Sequence, residues 1–197
     1  TRLRCDWSSD VCSSDLLSAD EVLRTDTIVI GVNTTDIEDS ESSHAVTIEY
    51  RAPSGDWSSS VLSTPWYNSA TSRWESNFTP PSTAELGEYD LRIKVTDTDG
   101  GSTGWNTYSD EISVLNNLPS VQDYSVSSSV VIRTETIVLR ANVTDIEDQE
   151  PEHALTLQYN SPSGSWSSAN LSTFWYNSSA GHWETNFTPH SGMETGN

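Results

Sequence analysis

The residues best suited to chemistry in this sequence are carboxylates gathered in short acidic stretches. Two stretches read DIEDSE and DIEDQE, and a third acidic loop reads DTDG. Ca²⁺ takes six to eight oxygen ligands from flexible carboxylates and carbonyls, and crowded like charges favour a neutralising ion. The candidate calcium ligands are Asp36, Glu38, Asp39, Glu41, Asp97, Asp99, Asp145, Glu147, Asp148 and Glu150. The alternative is a set of solvated acidic loops, because the spacing is not that of an EF-hand.

Tryptophans offer a second kind of chemistry, since aromatic faces stack on sugar rings. Trp66 and Trp175 are each followed by a tyrosine. Neighbouring residues of a strand point to opposite faces, which leaves room for one exposed ring in each pair. Trp66 and Trp175 are therefore candidate carbohydrate contacts, and the alternative is a purely structural role.

Catalysis has little support in the sequence. His44 and His153 occupy equivalent positions, where each is better explained as the cap of a loop than as a base. The chain lacks the zinc motif HExxH and a Gly-rich phosphate loop. Adjacent carboxylates such as Glu38 and Asp39 do not flank a substrate bond. We expect no enzymatic activity and no resident cofactor other than calcium.

Six N-x-S/T sequons indicate a secreted setting. The candidate glycosylation sites are Asn33, Asn77, Asn142, Asn170, Asn177 and Asn186. A glycan needs an exposed attachment point, and the predicted strands direct Asn77 and Asn186 outward.

Charge and hydropathy exclude two classes of partner. The chain has 29 acidic and 9 basic residues and a net charge of −20, which opposes binding to nucleic acid or an anionic membrane. No run approaches the ~20 apolar residues of a membrane-spanning helix. We therefore expect no nucleic-acid partner and no membrane span in this fragment.

The N-terminal segment looks foreign to the rest of the chain. Residues 6–16, DWSSDVCSSDL, resemble the translation of a common sequencing-library adapter. We assign residues 1–16 to a non-native segment and exclude them from fold reasoning; the alternative is a natural Ser/Asp-rich linker. Both cysteines, Cys5 and Cys12, lie in this segment, so their spacing does not argue for a disulfide or a metal site.

An internal repeat organises the remaining residues. Residues 20–88 share 39 identities in 69 positions with residues 129–197, at a constant offset of 109. Self-similarity of this kind indicates a tandem duplication of one domain. The predicted domains are residues 17–118, with the first strand missing, and residues 119–197, with the last two strands missing.

Alternating apolar residues predict short strands in each repeat. The residues that share the apolar faces of these strands are Ile28, Ile30, Val32, Val46, Ile48, Tyr50, Trp74, Phe78, Tyr89, Leu91, Ile93 and Val95, and Ile112 and Val114 start a last strand. About seven short strands in roughly 100 residues are typical of a β-sandwich. The predicted fold class is all-β, with two tandem truncated sandwiches. The strand directions bring the loops of Asp36 and Asp97 to the same end of the domain.

The segment GEYDLRIKVTDTDGG, residues 87–101, resembles the penultimate strand of prokaryotic PKD-like, cadherin-like and other immunoglobulin-like surface repeats. The VNTTDIEDSES, WYNS and NFTP elements are similar to tandem repeats of large surface proteins of marine archaea. The resemblance implies two tandem immunoglobulin-like domains at the cell surface or in the extracellular space. They would act as spacer or adhesion units whose partners are neighbouring repeats and an unknown surface protein or glycan.

Calcium would give such an array stiffness. An ion held by the Asp145 loop, with Asn116 or Asn117 lending oxygens, would brace the junction between repeats, as in cadherin-like arrays. The alternative function is that of carbohydrate-binding accessory domains attached to a secreted enzyme.

Overall fold

The computed structural model describes residues 16–37, 39–162 and 164–195. The chain divides into two compact units, repeat 1 up to Asn117 and repeat 2 from Leu118. The described residues form β-strands and two short 3-10 helices, Glu41–Ser43 and Glu150–Glu152, and contain no α-helix. None of their helices is long and apolar enough to span a membrane. The predicted all-β class is confirmed.

The described residues of repeat 1 form seven strands in two sheets. The strands are β1 (Glu21–Leu23), β2 (Ile28–Val32), β3 (Ala45–Arg51), β4 (Trp66–Asn68), β5 (Arg73–Phe78), β6 (Gly87–Thr96) and β7 (Asn106–Leu115). One sheet has the order β2-β5-β4 and the other the order β1-β7-β6-β3. All neighbours pair antiparallel except β1 and β7, which pair parallel.

The core of repeat 1 lies between these two sheets. Phe78 of β5 is fully buried, and its ring makes edge contacts with Tyr50 of β3 at 5.5 Å and Tyr89 of β6 at 5.9 Å. The apolar residues predicted from alternation line this core, with Tyr50, Trp74 and Val95 packed at its margin. Alternation places one side chain in two on the inner face of each sheet, which explains why a mean hydropathy of −0.52 still yields a closed core.

Strand order and one tyrosine contact define the class of repeat 1. The sheets β2-β5-β4 and β7-β6-β3 divide the strands as in an immunoglobulin-like sandwich. The hydroxyl of Tyr89, at the start of β6, donates to the carbonyl of Glu85 at 2.8 Å. This local bond is the tyrosine corner that ties such sandwiches together. Repeat 1 is therefore an immunoglobulin-like β-sandwich.

The N-terminal boundary drawn from the adapter resemblance falls within the core of repeat 1. Residues 1–15 lie outside the described residues, but Leu16 is only 2 % exposed. Leu17 forms an isolated bridge with Ile30, and Ser18 donates to the carbonyl of Val29 at 2.9 Å. The structure thus uses Leu16 and Leu17 as an extension of the sheet that contains β2, whereas we had assigned Leu16 to the non-native segment.

Repeat 2 contains six strands in the part of the chain that the structure describes. They are β8 (Ser120–Val126), β9 (Ile137–Thr144), β10 (Tyr159–Asn160), β11 (Trp166–Ser167), β12 (Trp175–Asn177) and β13 (His182–Phe187). The main sheet has the order β12-β13-β9-β8, and β10 and β11 form a separate pair. The register of β13 on β9 repeats that of β5 on β2, since Phe187 faces Ile137 as Phe78 faces Ile28.

The two repeats differ where strand β3 would recur. Residues 154–158, the counterparts of residues 45–49, belong to no strand. In repeat 1 this segment pairs with β6, and the described residues of repeat 2 include no counterpart of β6. An apolar cleft of about 560 Å³ lies between this segment and the strands β8 and β9, lined among others by Tyr124, Leu139 and Leu157.

Candidate metal centre at the acidic loops

The acidic loop of repeat 1 connects β2 to the 3-10 helix that precedes β3. Within it the N–H of Asp39 donates to Asp36 Oδ1 at 3.4 Å, and Glu38 lies outside the described residues. The hydroxyl of Tyr67 donates to Glu41 Oε2 at 3.2 Å, and the indole N–H of Trp74 donates to the Glu41 carbonyl at 2.9 Å. Glu41 therefore fastens the loop to the sheet of β4 and β5.

The loop between β6 and β7 meets this acidic loop, as the strand directions predict. The N–H and hydroxyl of Thr98 both donate to the carboxylate of Asp39, the hydroxyl at 2.7 and 2.8 Å to its two oxygens. Asp97 accepts from the N–H groups of Asp99 at 2.9 Å and Gly101 at 2.7 Å. The two loops therefore meet through Thr98, which donates hydrogen bonds to the carboxylate of Asp39. Each of these hydrogen bonds stabilises the ionised carboxylate that accepts it.

Glycine at position 101 allows Asp97 to fold back on its own loop. A Cβ on Gly101 would lie 2.3 Å from Asp97 Oδ2, so a larger residue at position 101 would displace this carboxylate. The N–H groups of Asp99 and Gly101 hold Asp97 in this position. In the described part of repeat 1, no three His, Asp or Glu side chains bring ligand atoms within 4.8 Å of one another.

His44 lies at the end of the acidic loop of repeat 1, directly before β3. Its Nδ1 shares a hydrogen bond of 2.8 Å with Thr34 Oγ1, and both residues are buried. The pairing holds the end of β2 against the start of β3. His44 therefore has a structural role, because its hydrogen bond joins the two ends of the loop.

Repeat 2 builds a different arrangement from the same loop sequence. One ligand atom from each of Asp145, Asp148 and His153 lies within 4.8 Å of the other two. Asp145 Oδ1 accepts from the N–H groups of Glu147 at 2.8 Å and Asp148 at 3.3 Å. Asp145 Oδ2 and both ring nitrogens of His153 are buried and have no hydrogen-bond partner. Nothing is described for the side chain of Glu150.

Local donors keep the Asp145 carboxyl ionised. The backbone N–H of Glu147 has the largest effect on its pKa and lowers it, burial opposes this, and the Glu147 side chain, the Asp148 N–H and His153 lower it further. The pKa of Asp145 is therefore below its ordinary value of 3.8. An ionised carboxylate beside an imidazole is a donor set that metals bind.

Sequence reasoning missed His153 as a member of the cluster, although the repeat carried a signal. Position 34 in repeat 1 is Thr, and its counterpart at position 143 is Val. Val143 is buried and has no hydroxyl to offer. The loss of that hydroxyl leaves the His153 ring without the hydrogen bond that holds His44.

A row of stacked cations and aromatic rings on the outer face of repeat 1 was also missed. The Arg92 guanidinium lies 4.6 Å from the ring centroid of Trp57 and 4.3 Å from that of Trp105. Arg51 lies 4.9 Å from Trp57, and Lys94 lies 5.0 Å from Trp105. Such cation–π contacts give Trp57 and Trp105 a structural role.

The candidate sugar-binding tryptophans and the sequons are accessible. Trp66 and Trp175 are each 38 % exposed. Asn33 and Asn142 are exposed and the other four sequon asparagines are half-buried, so none is enclosed in a core. The amide of Asn170 donates to the hydroxyl of Tyr159 at 3.0 Å.

No protein-family model and no curated protein matches this chain. Among solved structures, the chain is similar to the titin domains Z1Z2, crystallised in complex with telethonin, at 15 % identity and a TM-score of 0.39. The alignment covers 89 % of this chain and 80 % of the titin chain. The immunoglobulin-like class of repeat 1 rests on its strand order and on the Tyr89 contact.

Proposed function

We propose that this chain is a pair of immunoglobulin-like modules that serve as a spacer or interaction unit in a secreted or cell-surface protein, without enzymatic activity. The observation that carries the proposal is the pairing of β1 and β7, the first and last strands among the described residues of repeat 1. Glu21, Val22 and Leu23 of β1 face Ser113, Val114 and Leu115 of β7 in parallel. The N-terminal and C-terminal strands of the module thus lie side by side.

Parallel pairing at the two ends suits a module that bears tension. Force applied along the chain would pull β1 and β7 in opposite directions along their length, so that their hydrogen bonds are loaded together. The N–H of Ser113 donates to the Asp20 carbonyl at 2.8 Å, and that of Arg24 donates to the Leu115 carbonyl at 3.0 Å. These two bonds close the pair at either end.

Single-molecule pulling of the full chain tests the spacer proposal. We expect a discrete force peak for repeat 1 and a lower peak in Arg24→Pro, which lacks the N–H that reaches Leu115. Arg24→Met is the matched control, because it loses the side-chain bonds of Arg24 but keeps its backbone N–H. Gradual extension of repeat 1 without a peak would refute a load-bearing role.

The second candidate function, carbohydrate binding, is favoured by the exposure of Trp66 and Trp175. A glycan array with the full chain tests it, and binding should disappear in the Trp66→Ala, Trp175→Ala double variant. Trp105→Ala is the control, since Trp105 is equally exposed at 38 % but stacks on Arg92. Absence of binding to any glycan favours the spacer.

Calcium stiffening stays a prediction from the sequence. In repeat 1 the carboxylates of Asp39 and Asp97 already accept hydrogen bonds from neighbouring loop groups. Thermal melts of the full chain with calcium and with chelator test the ion. Equal midpoints would remove calcium from the account of stability.

A further inference from the structure

The loop cluster of repeat 2 has polar atoms that the protein itself does not satisfy. Asp145 Oδ2 and the Nδ1 and Nε2 of His153 are buried, each with less than 1 Å² of exposed surface, and have no hydrogen-bond partner. Leaving one buried polar group unpaired costs about 1–3 kcal/mol. One bound cation would satisfy Asp145 Oδ2 and one of the two ring nitrogens, because an imidazole binds a metal through a single nitrogen.

Comparison with repeat 1 supports the need for a ligand. There the equivalent histidine, His44, has Thr34 as its partner at 2.8 Å, and Asp39, the counterpart of Asp148, accepts from Thr98. In repeat 2, Val143 replaces the threonine that partners the histidine. The loop sequence DIED is otherwise kept, and the ring nitrogens of His153 are left without a hydrogen-bond partner.

We propose that Asp145, Asp148 and His153 form a zinc site. Zn²⁺ binds imidazole nitrogen and carboxylate oxygen at about 2.0–2.2 Å and completes four-coordination with water where three protein ligands are present. Ligand atoms within 4.8 Å of one another can surround one such ion after small side-chain rotations. Ca²⁺ prefers an all-oxygen shell of six to eight ligands, so a site with imidazole favours a borderline metal. This inference does not depend on the spacer function.

Asp145 and Asp148 were expected to bind metal, but as members of an all-oxygen calcium set. His153 adds a nitrogen ligand, and this favours zinc over calcium. It also confines the site to repeat 2, because the described part of repeat 1 gathers no three ligands of this kind. One zinc ion per chain follows from this difference.

Calorimetric titration of zinc into the full chain tests the proposal. The chain should carry Cys5→Ser and Cys12→Ser throughout, because thiolates also bind zinc. We expect one zinc ion per chain and an affinity weakened by about tenfold or more in Asp145→Asn, in Asp148→Asn and in His153→Gln. Asp148 is exposed, so Asp148→Asn should fold normally. Asp36→Asn, the same change in repeat 1, is the matched control and should bind as the parent does.

The ring nitrogens report the site directly. In spectra of ¹⁵N-histidine-labelled chain, zinc should shift the His153 ring and leave the His44 ring unchanged. Val143→Thr should also weaken zinc binding, because it offers His153 the hydroxyl that holds His44. The proposal is overturned if the parent chain binds no zinc, if the repeat 2 variants bind it as tightly as the parent, or if excess calcium displaces it.

Discussion

The two repeats share one set of polar bonds and differ in another. The hydroxyls of Thr27 and Thr79 lie 2.7 Å apart, and those of Thr136 and Thr188 do the same. Bonds that tie the strand pairs β2–β5 and β9–β13 to their flanking loops recur in this way, whereas the bond between His44 and Thr34 beside the acidic loop does not recur at His153. The two repeats thus share the contacts that set the strand register and differ in the hydrogen bond of the histidine.

A second difference shows how one position compensates for another. In repeat 1, Gly31 faces Glu75 across the ladder, and a Cβ on Gly31 would lie 2.8 Å from the Cδ of Arg73. In repeat 2, the position of Gly31 is taken by Arg140, which bonds Glu184 at 3.1 Å. The cation has moved from one strand to its neighbour while the carboxylate has stayed.

Removing the central phenylalanine should give the largest difference between the repeats. Phe78 is fully buried between two tyrosines, so Phe78→Ala should lower the free energy of unfolding of repeat 1 by about 3–5 kcal/mol. Phe187 is half-buried and its ring contacts Tyr159 alone among the aromatic pairs described, at 4.8 Å. Phe187→Ala should therefore cost less.

Hydrogen exchange during denaturant unfolding assigns each loss to its repeat. Amides of β5 and β6 report on repeat 1, and amides of β9 and β13 report on repeat 2. Equal losses in the two variants would contradict the view that repeat 1 has the more complete core.

Removing the hydrogen-bond partner of the buried histidine should give the next largest change in the free energy of unfolding. Thr34→Val copies the residue of repeat 2 into repeat 1 and leaves buried His44 without its hydroxyl, at a cost of about 1–3 kcal/mol. The reverse change, Val143→Thr, should stabilise repeat 2 in the presence of chelator. Denaturant unfolding measures both.

Thr35→Val is the matched control for this pair of substitutions. Thr35 is the next residue along the chain and is exposed, so its change should alter stability by a few tenths of a kcal/mol at most. An equal loss in Thr34→Val and Thr35→Val would show that the His44 bond contributes nothing.

Strand alternation predicted the sandwich because a sheet with one buried face imposes a period of two on the sequence. That is why the apolar faces around Ile30, Ile48 and Leu91 were identified correctly. The pairing of β1 with β7 was not foreseen, since a three-residue edge strand has too few residues to show alternation. Residues 154–158 have the alternating pattern of a strand but belong to no strand. A strand also needs a neighbouring strand to pair with, and alternation within one segment does not show whether that neighbour is present.

The candidate site was predictable in part. The loop DIED was recognised in both repeats, and the loops of Asp39 and Asp97 meet as the strand directions required. The role of His153 was missed because a single histidine carries no pattern of its own. The signal lies at position 143, where repeat 2 has Val and repeat 1 has Thr34. It is visible only when the two repeats are compared residue by residue.

The smallest expected effect concerns the pKa values of two equivalent carboxyl groups, those of Glu75 in repeat 1 and Glu184 in repeat 2. In repeat 1 the hydrogen bond from Asn68 is the largest influence on the pKa of Glu75 and lowers it, with Thr71 and then Arg73 contributing, against burial. In repeat 2 burial raises the pKa of Glu184, but His182, Asn177 and Arg140 together bring it below its ordinary value of 4.5. Both carboxylates accept hydrogen bonds from uncharged groups, and Arg140 adds to Glu184 a hydrogen bond and a charge together.

A lowered pKa in the folded state means that each carboxylate stabilises its repeat above about pH 4.5, and that this contribution is lost as the pH falls through the folded-state pKa. Titration of the two carboxyl carbons by NMR measures both values. Arg140→Met should raise the pKa of Glu184, whereas Arg73→Met should move that of Glu75 less and Asn68→Ala should move it more. Added salt should likewise raise the value for Glu184 more than that for Glu75, because charge–charge attraction is screened. Equal responses of the two glutamates to salt would mean that moving the cation between strands left the electrostatics of the pair unchanged.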